Sequence, residues 1–323
     1  MTQFPEPPLT NQFIDPIHKL AHESALRSIG RVVTETVTPT PPEEALAAVV
    51  KQLRLGGVLV VTGAGVSTDS GIPDYRGAHG SLKRHRPMTY QEFRFDPQAL
   101  RRYWARSFVG WRHIDRAQPN AVHGYVAEWE RAGLVTGVVT QNVDGLHQLA
   151  GSKNVLALHG DLATVVCLDC GLREDRNAFD ARMAAMNAGF LESVAIDPAD
   201  INPDGDVALA ATDIARFRCA PCARCGSIVM KPDVVYFGES VPKERKDRLR
   251  DLLVDATSVL VLGSSLAVMS GMRVVIDAKK LRKPVSIVNA GPSRADNRMD
   301  IVWRSLLRPA CAAISETLLQ RQP

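Results

Sequence analysis

Val58-Leu59-Val60-Val61-Thr62-Gly63-Ala64-Gly65-Val66-Ser67-Thr68-Asp69-Ser70-Gly71-Ile72-Pro73-Asp74-Tyr75-Arg76-Gly77 opens as an apolar, β-branched run of strand length and breaks at Gly63 into a loop of small residues. Two glycines one residue apart let the backbone turn tightly and approach a ligand. A phosphate laid on such a loop meets backbone N–H groups and the positive end of the following turn. The stretch reads as a strand-to-helix turn that holds a nucleotide diphosphate. The dinucleotide fingerprint is incomplete, because its third glycine falls on Thr68. No acidic residue about 20 positions on stands out as a ribose ligand either. Beyond it, Gly71 to Gly77 is an extended, proline-fixed segment carrying one acid and one base. A helix begun at Ser67 and stopped within a turn or two implies a loop that folds over the ligand.

The chain has 323 residues, 45% of them hydrophobic, enough to bury a sizeable core in one or two domains. Its 39 basic and 35 acidic residues leave a net charge of +4. That balance argues against nucleic acid or an anionic membrane as the main partner. No apolar run approaches the roughly 18 residues of a membrane span. No hydrophobic segment follows Met1, so no secretory signal is expected and the expected location is the cytoplasm.

Residues 1–42 read as an N-terminal extension, partly disordered, with one helix of modest amphipathicity between Ile14 and Val33 and prolines at both ends. Pro42-Glu43-Glu44 starts a helix through Leu53 that delivers the chain to the first strand. A polar, arginine-rich stretch leads to a helix from Pro97 to about Trp111, whose Tyr103, Trp104, Phe108 and Trp111 form a packing face. Asn120 caps a helix from Ala121 to Ala132, and a strand follows at Leu134–Thr140. That strand ends in Thr140-Gln141-Asn142-Val143-Asp144-Gly145-Leu146-His147. Apolar runs at Val155–Leu158, Ser258–Leu262 and Val285–Val288 end in His159-Gly160, Gly263-Ser264-Ser265 and Asn289-Ala290-Gly291. Apolar strands alternating with helix-length segments specify an α/β fold: a Rossmann-like parallel sheet with helices on both faces. Polar residues gathered at several strand carboxyl ends mark its ligand crevice.

Five of the six cysteines lie between residues 167 and 225. Cys167-Leu168-Asp169-Cys170 and Cys222-Ala223-Arg224-Cys225 are two C-x2-C knuckles, each followed by glycine. Together they make a closed four-thiolate zinc site, structural because no coordination position stays open. Such a cluster belongs in a reducing compartment. Cys219 forms the same spacing with Cys222, but the match between Cys225-Gly226 and Cys170-Gly171 favours the Cys222/Cys225 pair. The intervening 171–221 reads as an insertion with a helix over Ala178–Gly189 and a polar loop at Asp204-Gly205-Asp206. Zinc thus holds a small inserted module, and His159 falls between that module and the sheet, where an imidazole can serve as a general base.

With Gly63-Ala64-Gly65-Val66-Ser67, Gly71-Ile72-Pro73-Asp74-Tyr75-Arg76, Gln141-Asn142-Val143-Asp144, Leu158-His159-Gly160 and the two C-x2-C pairs in this order, the chain resembles the sirtuins over about residues 43–318. Arg102 to Trp111 and Lys231 to Glu239 look most like the class II branch and its bacterial members. The resemblance implies an NAD-dependent protein-lysine deacylase, a deacetylase that moves the acyl group from lysine to ADP-ribose and releases nicotinamide. His159 would be the general base, with Asn142 and Asp144 beside it. Gly63, Ala64, Gly65 and Ser67 would line the phosphate and ribose pocket. Ile72, Pro73, Asp74, Tyr75 and Arg76 would surround nicotinamide, and Gln141, Asn142 and Asp144 its ribose. Gly263, Ser264 and Ser265 would take the phosphates and adenine ribose, and Asn289, Ala290 and Gly291 the adenosine, with Cys311 closing the adenine side. The implied partner is an acylated lysine of a protein, bound as an extended peptide near Val234–Gly238.

By the same resemblance the catalytic domain is residues 43–323. Its Rossmann-like parts are about 43–78, 120–162 and 230–323, with a helical insertion at about 79–119 and the zinc module at about 163–229. Two features depart from the family. Gly80-Ser81-Leu82-Lys83 stands where many sirtuins carry an aromatic residue, and no Tyr and Arg pair that selects acidic acyl groups is evident, which weighs against succinyl. Protein ADP-ribosylation and removal of longer or lipoyl-type acyl groups are the alternatives that use the same pocket.

Overall fold

A computed structural model of the chain describes residues 15–77, 80–194 and 202–320. The strands are β1 (Val58–Thr62), β2 (Val135–Thr140), β3 (Val155–Ala157), β4 (Gly160–Cys167), β5 (Arg173–Asp175), β6 (Met230–Val234), β7 (Ser258–Leu262), β8 (Val285–Val288) and β9 (Ile301–Trp303). The longer helices are α1 (Pro16–Ile29), α2 (Pro42–Arg54), α3 (Tyr90–Phe95), α4 (Pro97–Arg116), α5 (Ala121–Arg131), α6 (Leu146–Leu149), α7 (Arg176–Met186), α8 (Phe190–Ser193), α9 (Ala211–Arg216), α10 (Lys243–Asp255), α11 (Met269–Lys280) and α12 (Leu307–Leu319).

Six strands form one parallel sheet in the order β3-β2-β1-β7-β8-β9. The chain winds outward through β2 and β3, then crosses back to β7 beside β1, which is the doubly wound order with its switch point between β1 and β7. All five residues of β1 are fully buried, as expected for a strand covered on both faces. The two-residue period sorts them. Leu59 and Val61 pack with residues of α10 and α11 on one face, and Val58 and Val60 with α2, α5 and α12 on the other.

A second body sits beside this sheet. Strands β5-β4-β6 form a small antiparallel sheet. The aromatic face of α4 packs into one continuous core with Phe179 and Met183 of α7 and with Phe190, Phe217 and Met230. Trp104 donates its ring N–H to the Met230 carbonyl at 2.8 Å. Arg176 is fully buried with its guanidinium 5.0 Å from both Trp104 and Trp111. Helical insertion and cysteine module therefore share a hydrophobic core. β6, grouped with the Rossmann-like part from sequence, pairs with β4 instead as an edge strand of the small sheet, where its Met230 and Val234 are buried in the shared core.

Residues 1–14, where disorder is expected, lie outside the described residues. The rest of the extension is docked. The α1 ring of His22 meets Thr89 Oγ1 at 2.9 Å, and Thr40 donates its backbone N–H to Val302 at 2.8 Å. Among the described residues no helix is long and apolar enough to cross a membrane.

Candidate active site

The carboxyl ends of β1, β2, β7 and β8 open into one cavity of about 2190 Å³. At the switch point two glycine turns touch. Gly65 N–H donates to the Gly263 carbonyl at 2.9 Å, and a Cβ on Gly65 would lie 2.9 Å from that oxygen. A Cβ on Gly63 would lie 2.7 Å from Ser264. Only glycine permits these turns to approach so closely, and both line the crevice side by side, a cradle of a size suited to a pyrophosphate. The first turn is two short 3-10 turns, Ala64–Val66 and Thr68–Ser70, ended by Gly71 at φ 82°. No full helix follows β1, in line with the loop expected there.

Polar side chains from three strand ends join into one network. Ser67 donates to Asp144 at 2.7 Å. Asn142 donates to Ser67 Oγ at 2.9 Å and to the Gly63 carbonyl at 3.1 Å. Gln141 donates to Ser264 Oγ at 2.8 Å. Asp144 also accepts from Leu146 N at 3.0 Å, which anchors the start of α6. Asp74 accepts from Gly77 N at 2.7 Å and so pins its own loop. Asn289 donates to the Gly291 carbonyl at 2.7 Å, shaping the turn after β8.

His159 sits between β3 and β4 on the cavity wall. Its Nδ1 is 3.0 Å from the Gln141 carbonyl, which can only accept, so Nδ1 carries the proton and Nε2 keeps its lone pair. Burial pushes the imidazole down to about 4, against the pull of the Gln141 carbonyl and with help from Arg245. The ring is therefore neutral near pH 7, the state a base needs. Gly160, at φ 83°, turns the chain from the large sheet to the small one, and a Cβ there would collide with the Asp233 carbonyl.

The structure brings Gly63, Ala64, Gly65, Ser67, Ile72, Asp74, Tyr75 and Arg76 to this cavity, together with Gln141, Asn142, Asp144 and His159. Gly263, Ser264, Ser265, Asn289, Ala290 and Gly291 line it too. Two expected members are elsewhere. Pro73 is not among the lining residues and serves the backbone of its loop. Cys311 is fully buried in α12 among Val49, Val126 and Ile314, where burial raises its thiol to about 12. Helical periodicity turns it to the core, so it does not close the adenine side. Residues 21, 24, 25 and 27–33 of the extension also line the cavity, and Arg76 donates to the Ser28 and Ile29 carbonyls at the end of α1. No spacing in the sequence marks that contact.

Cys167, Cys170, Cys222 and Cys225 bring their sulfurs within 4.8 Å of one another. Two separations are 3.7 and 3.6 Å, close to the roughly 3.8 Å edge of a tetrahedron with Zn–S bonds of about 2.3 Å. Gly171 and Gly226 close each knuckle by donating N–H to Cys167 O and Cys222 O at 2.9 and 3.0 Å. The donor set and its size fit one structural Zn²⁺. Cys219 is outside the cluster, packed against the shared core.

Behind the crevice His123 and His147 lie ring to ring at 4.8 Å, both fully buried. Burial lowers them to about 4 and about 3 from 6.5, His147 also through its neighbour. An unfolded chain takes protons at these rings below pH 6.5 that the folded chain refuses. Stability is thus complete above about pH 6.5 and drains away as pH falls from there toward the folded values, where the loss levels off; at pH 5 the loss is on the order of 2 kcal/mol per histidine. The urea midpoint should fall steadily from pH 7 to pH 5, and a flat profile would remove these two rings from the account.

A doubly wound sheet with a phosphate cradle at its switch point, a neutral histidine on the wall and an inserted four-cysteine module defines a nucleotide-dependent enzyme with a structural zinc module. The family model described as the Sir2 family matches residues 63–270, and the chain belongs to that family. NAD-dependent protein deacetylase 1 of Corynebacterium efficiens is 61% identical over 274 residues, covering 85% of this chain and 98% of the relative. Its Streptomyces coelicolor counterpart is 54% identical, covering 84% and 90%. NAD-dependent protein deacylase Sirt4 of Drosophila melanogaster is 47% identical, covering 76% and 78%. Among solved structures, one described for the mechanism and regulation of Sir2 enzymes superposes with TM-score 0.67 at 30% identity, covering 85% of this chain and 98% of its own. A Sir2 complex with a p53 peptide and NAD+ gives 0.65 at 26% identity, covering 84% and 98%.

Proposed function

We propose that the chain is an NAD-dependent protein-lysine deacetylase with His159 as its general base, Asn142 and Asp144 as the residues that set the nicotinamide ribose, and the Gly63–Ser67 and Gly263–Ser265 turns as its phosphate cradle. The observation that carries this reading is His159: a neutral imidazole, oriented through Nδ1 by the Gln141 carbonyl, on the wall of the crevice at the switch point. Bound NAD supplies an electrophilic ribose carbon, from which an acyl-lysine carbonyl displaces nicotinamide and to whose ribose the acyl group passes. Nε2 of His159 takes the proton of a ribose hydroxyl as that hydroxyl attacks the acyl carbon. Ser67, Asn142 and Asp144 form the hydrogen-bonded group that would hold the ribose, and Asp74, pinned to Gly77, the one that would meet the carboxamide. Asn289, Ala290 and Gly291 would face adenosine.

The acylated protein would lie as an extended segment at residues 234–238. Much of the hydrogen bonding there is already taken: Val235 N–H by the His159 carbonyl at 2.7 Å and the Phe237 carbonyl by Tyr90 N–H at 2.8 Å. A peptide would use the remaining groups, which limits it to a short stretch of pairing. We assign residues 43–323 to the catalytic domain and 1–42 to an N-terminal extension, of which residues 15–42 dock on it. Four free thiols set around one metal position support a reducing, cytoplasmic setting. The test is nicotinamide release with NAD and a panel of acyl-lysine peptides. Release that requires an acyl peptide and yields the acylated ADP-ribose supports the assignment, and the panel ranks acyl groups. NAD consumption without acyl-lysine, with ADP-ribose left on a protein, would replace it with the transferase alternative.

A further inference from the structure

Nε2 of His159 lies 2.7 Å from Oγ of Ser270. Since Nδ1 carries the proton, Nε2 can only accept, and the Ser270 hydroxyl donates to it. Ser270 is the second residue of α11 and lines the crevice. The next residue, Gly271, backs directly onto Gln141, and a Cβ there would run into the Gln141 amide. The start of α11 is therefore pressed against the residue whose carbonyl orients the imidazole. Hydroxyl and ring are held in register by one contact on each side.

We propose that Ser270 is a positioning residue: its hydroxyl stands on Nε2 of His159 in place of the ribose hydroxyl, capping the base and holding its tautomer until NAD enters. This rests on His159 as the base. One lone pair holds one donor well, so NAD entry exchanges the serine O–H···N bond for a ribose O–H···N bond. Ser270 keeps its proton throughout, and the proton that Nε2 later takes comes from the ribose. The other groups facing the ring are the Gln141 carbonyl from the end of β2 and Arg245 from α10, itself bound to Asp233 of β6 at 2.6 Å. Neither contact involves Ser270.

The experiment uses full-length, zinc-loaded Ser270→Ala, Ser270→Thr and His159→Ala proteins with NAD and an acetyl-lysine peptide. Enzyme is held at pH 7.5 and diluted into buffers from pH 4.5 to 8 for initial rates. In Ser270→Ala the neutral imidazole loses a donated hydrogen bond, so the acid limb of kcat/KM moves up by about half to one pH unit. KM for NAD falls roughly two- to tenfold, because no hydroxyl has to be displaced. Ser270→Thr, which keeps the hydroxyl, restores both. A folded Ser270→Ala protein with an unmoved limb and an unchanged or raised KM for NAD overturns the proposal. His159→Ala separates the two readings. If it abolishes deacetylation, the base assignment stands whatever Ser270 does, and if it does not, both fall.

Discussion

Replacing His159 by alanine is expected to lower formation of acylated ADP-ribose by about 10²- to 10⁴-fold at pH 7.5, the usual contribution of a positioned acid or base. The expectation follows from the ring's surroundings. Its Nδ1–H is fixed on the Gln141 carbonyl at 3.0 Å, and its folded value of about 4 keeps it unprotonated at assay pH. Among the described residues no other imidazole near the crevice is placed to substitute. His147 is fully buried with Nε2 on Thr62 Oγ1 at 3.1 Å, and His85 is engaged with Arg106. The phosphate cradle and the Ser67–Asn142–Asp144 network do not include His159, so NAD binding by calorimetry should survive the substitution. Nicotinamide departure precedes the step that needs the base, so exchange of labelled nicotinamide into NAD should outlast deacetylation. Near-normal product formation by a folded His159→Ala protein would remove the histidine from the mechanism.

Loss of the metal should be at least as damaging. Cys222→Ala removes a buried sulfur from the four-thiolate set, and a site built for four ligands binds Zn²⁺ far more weakly with three. Metal binding of this kind is coupled to folding and is worth about 10 kcal/mol or more in small zinc-dependent domains. A fall in Tm on the order of 10 °C or more is therefore expected, together with loss of the one zinc per chain. Activity should fall as well, for a mechanical reason. Strand β4 begins at Gly160, next to His159, and ends on the zinc ligand Cys167. The module also shares its hydrophobic core with α4 and with Val234 and Tyr236. Zinc analysis and thermal melts of wild type and Cys222→Ala, with and without a chelator, measure this directly. A variant that keeps one zinc and melts like wild type would show that the cluster is not a structural site.

Several features of this protein were legible locally. Val58–Thr62 is apolar without interruption because both faces of β1 are covered, and the pattern of a doubly covered strand needs no knowledge of its neighbours. Glycines at 63, 65 and 263 announce close backbone approach wherever they occur. The knuckles at Cys167/Cys170 and Cys222/Cys225 carry their own geometry, since each closes on a glycine within a few residues.

Tertiary structure alone decided what meets what. Cys311 and Cys222 are both buried cysteines, but only the second finds three sulfurs within reach. β6 reads as any short strand, and its pairing with β4 depends on the edge that Gly160 exposes. The end of α1 meets Arg76 across 47 to 48 positions, and Ser270 meets His159 across 111. The physical reason is the same in each case. Propensity, turn chemistry and hydrophobic period act over a few residues, whereas a hydrogen bond between distant side chains exists only after the sheet order and helix packing have brought their elements together.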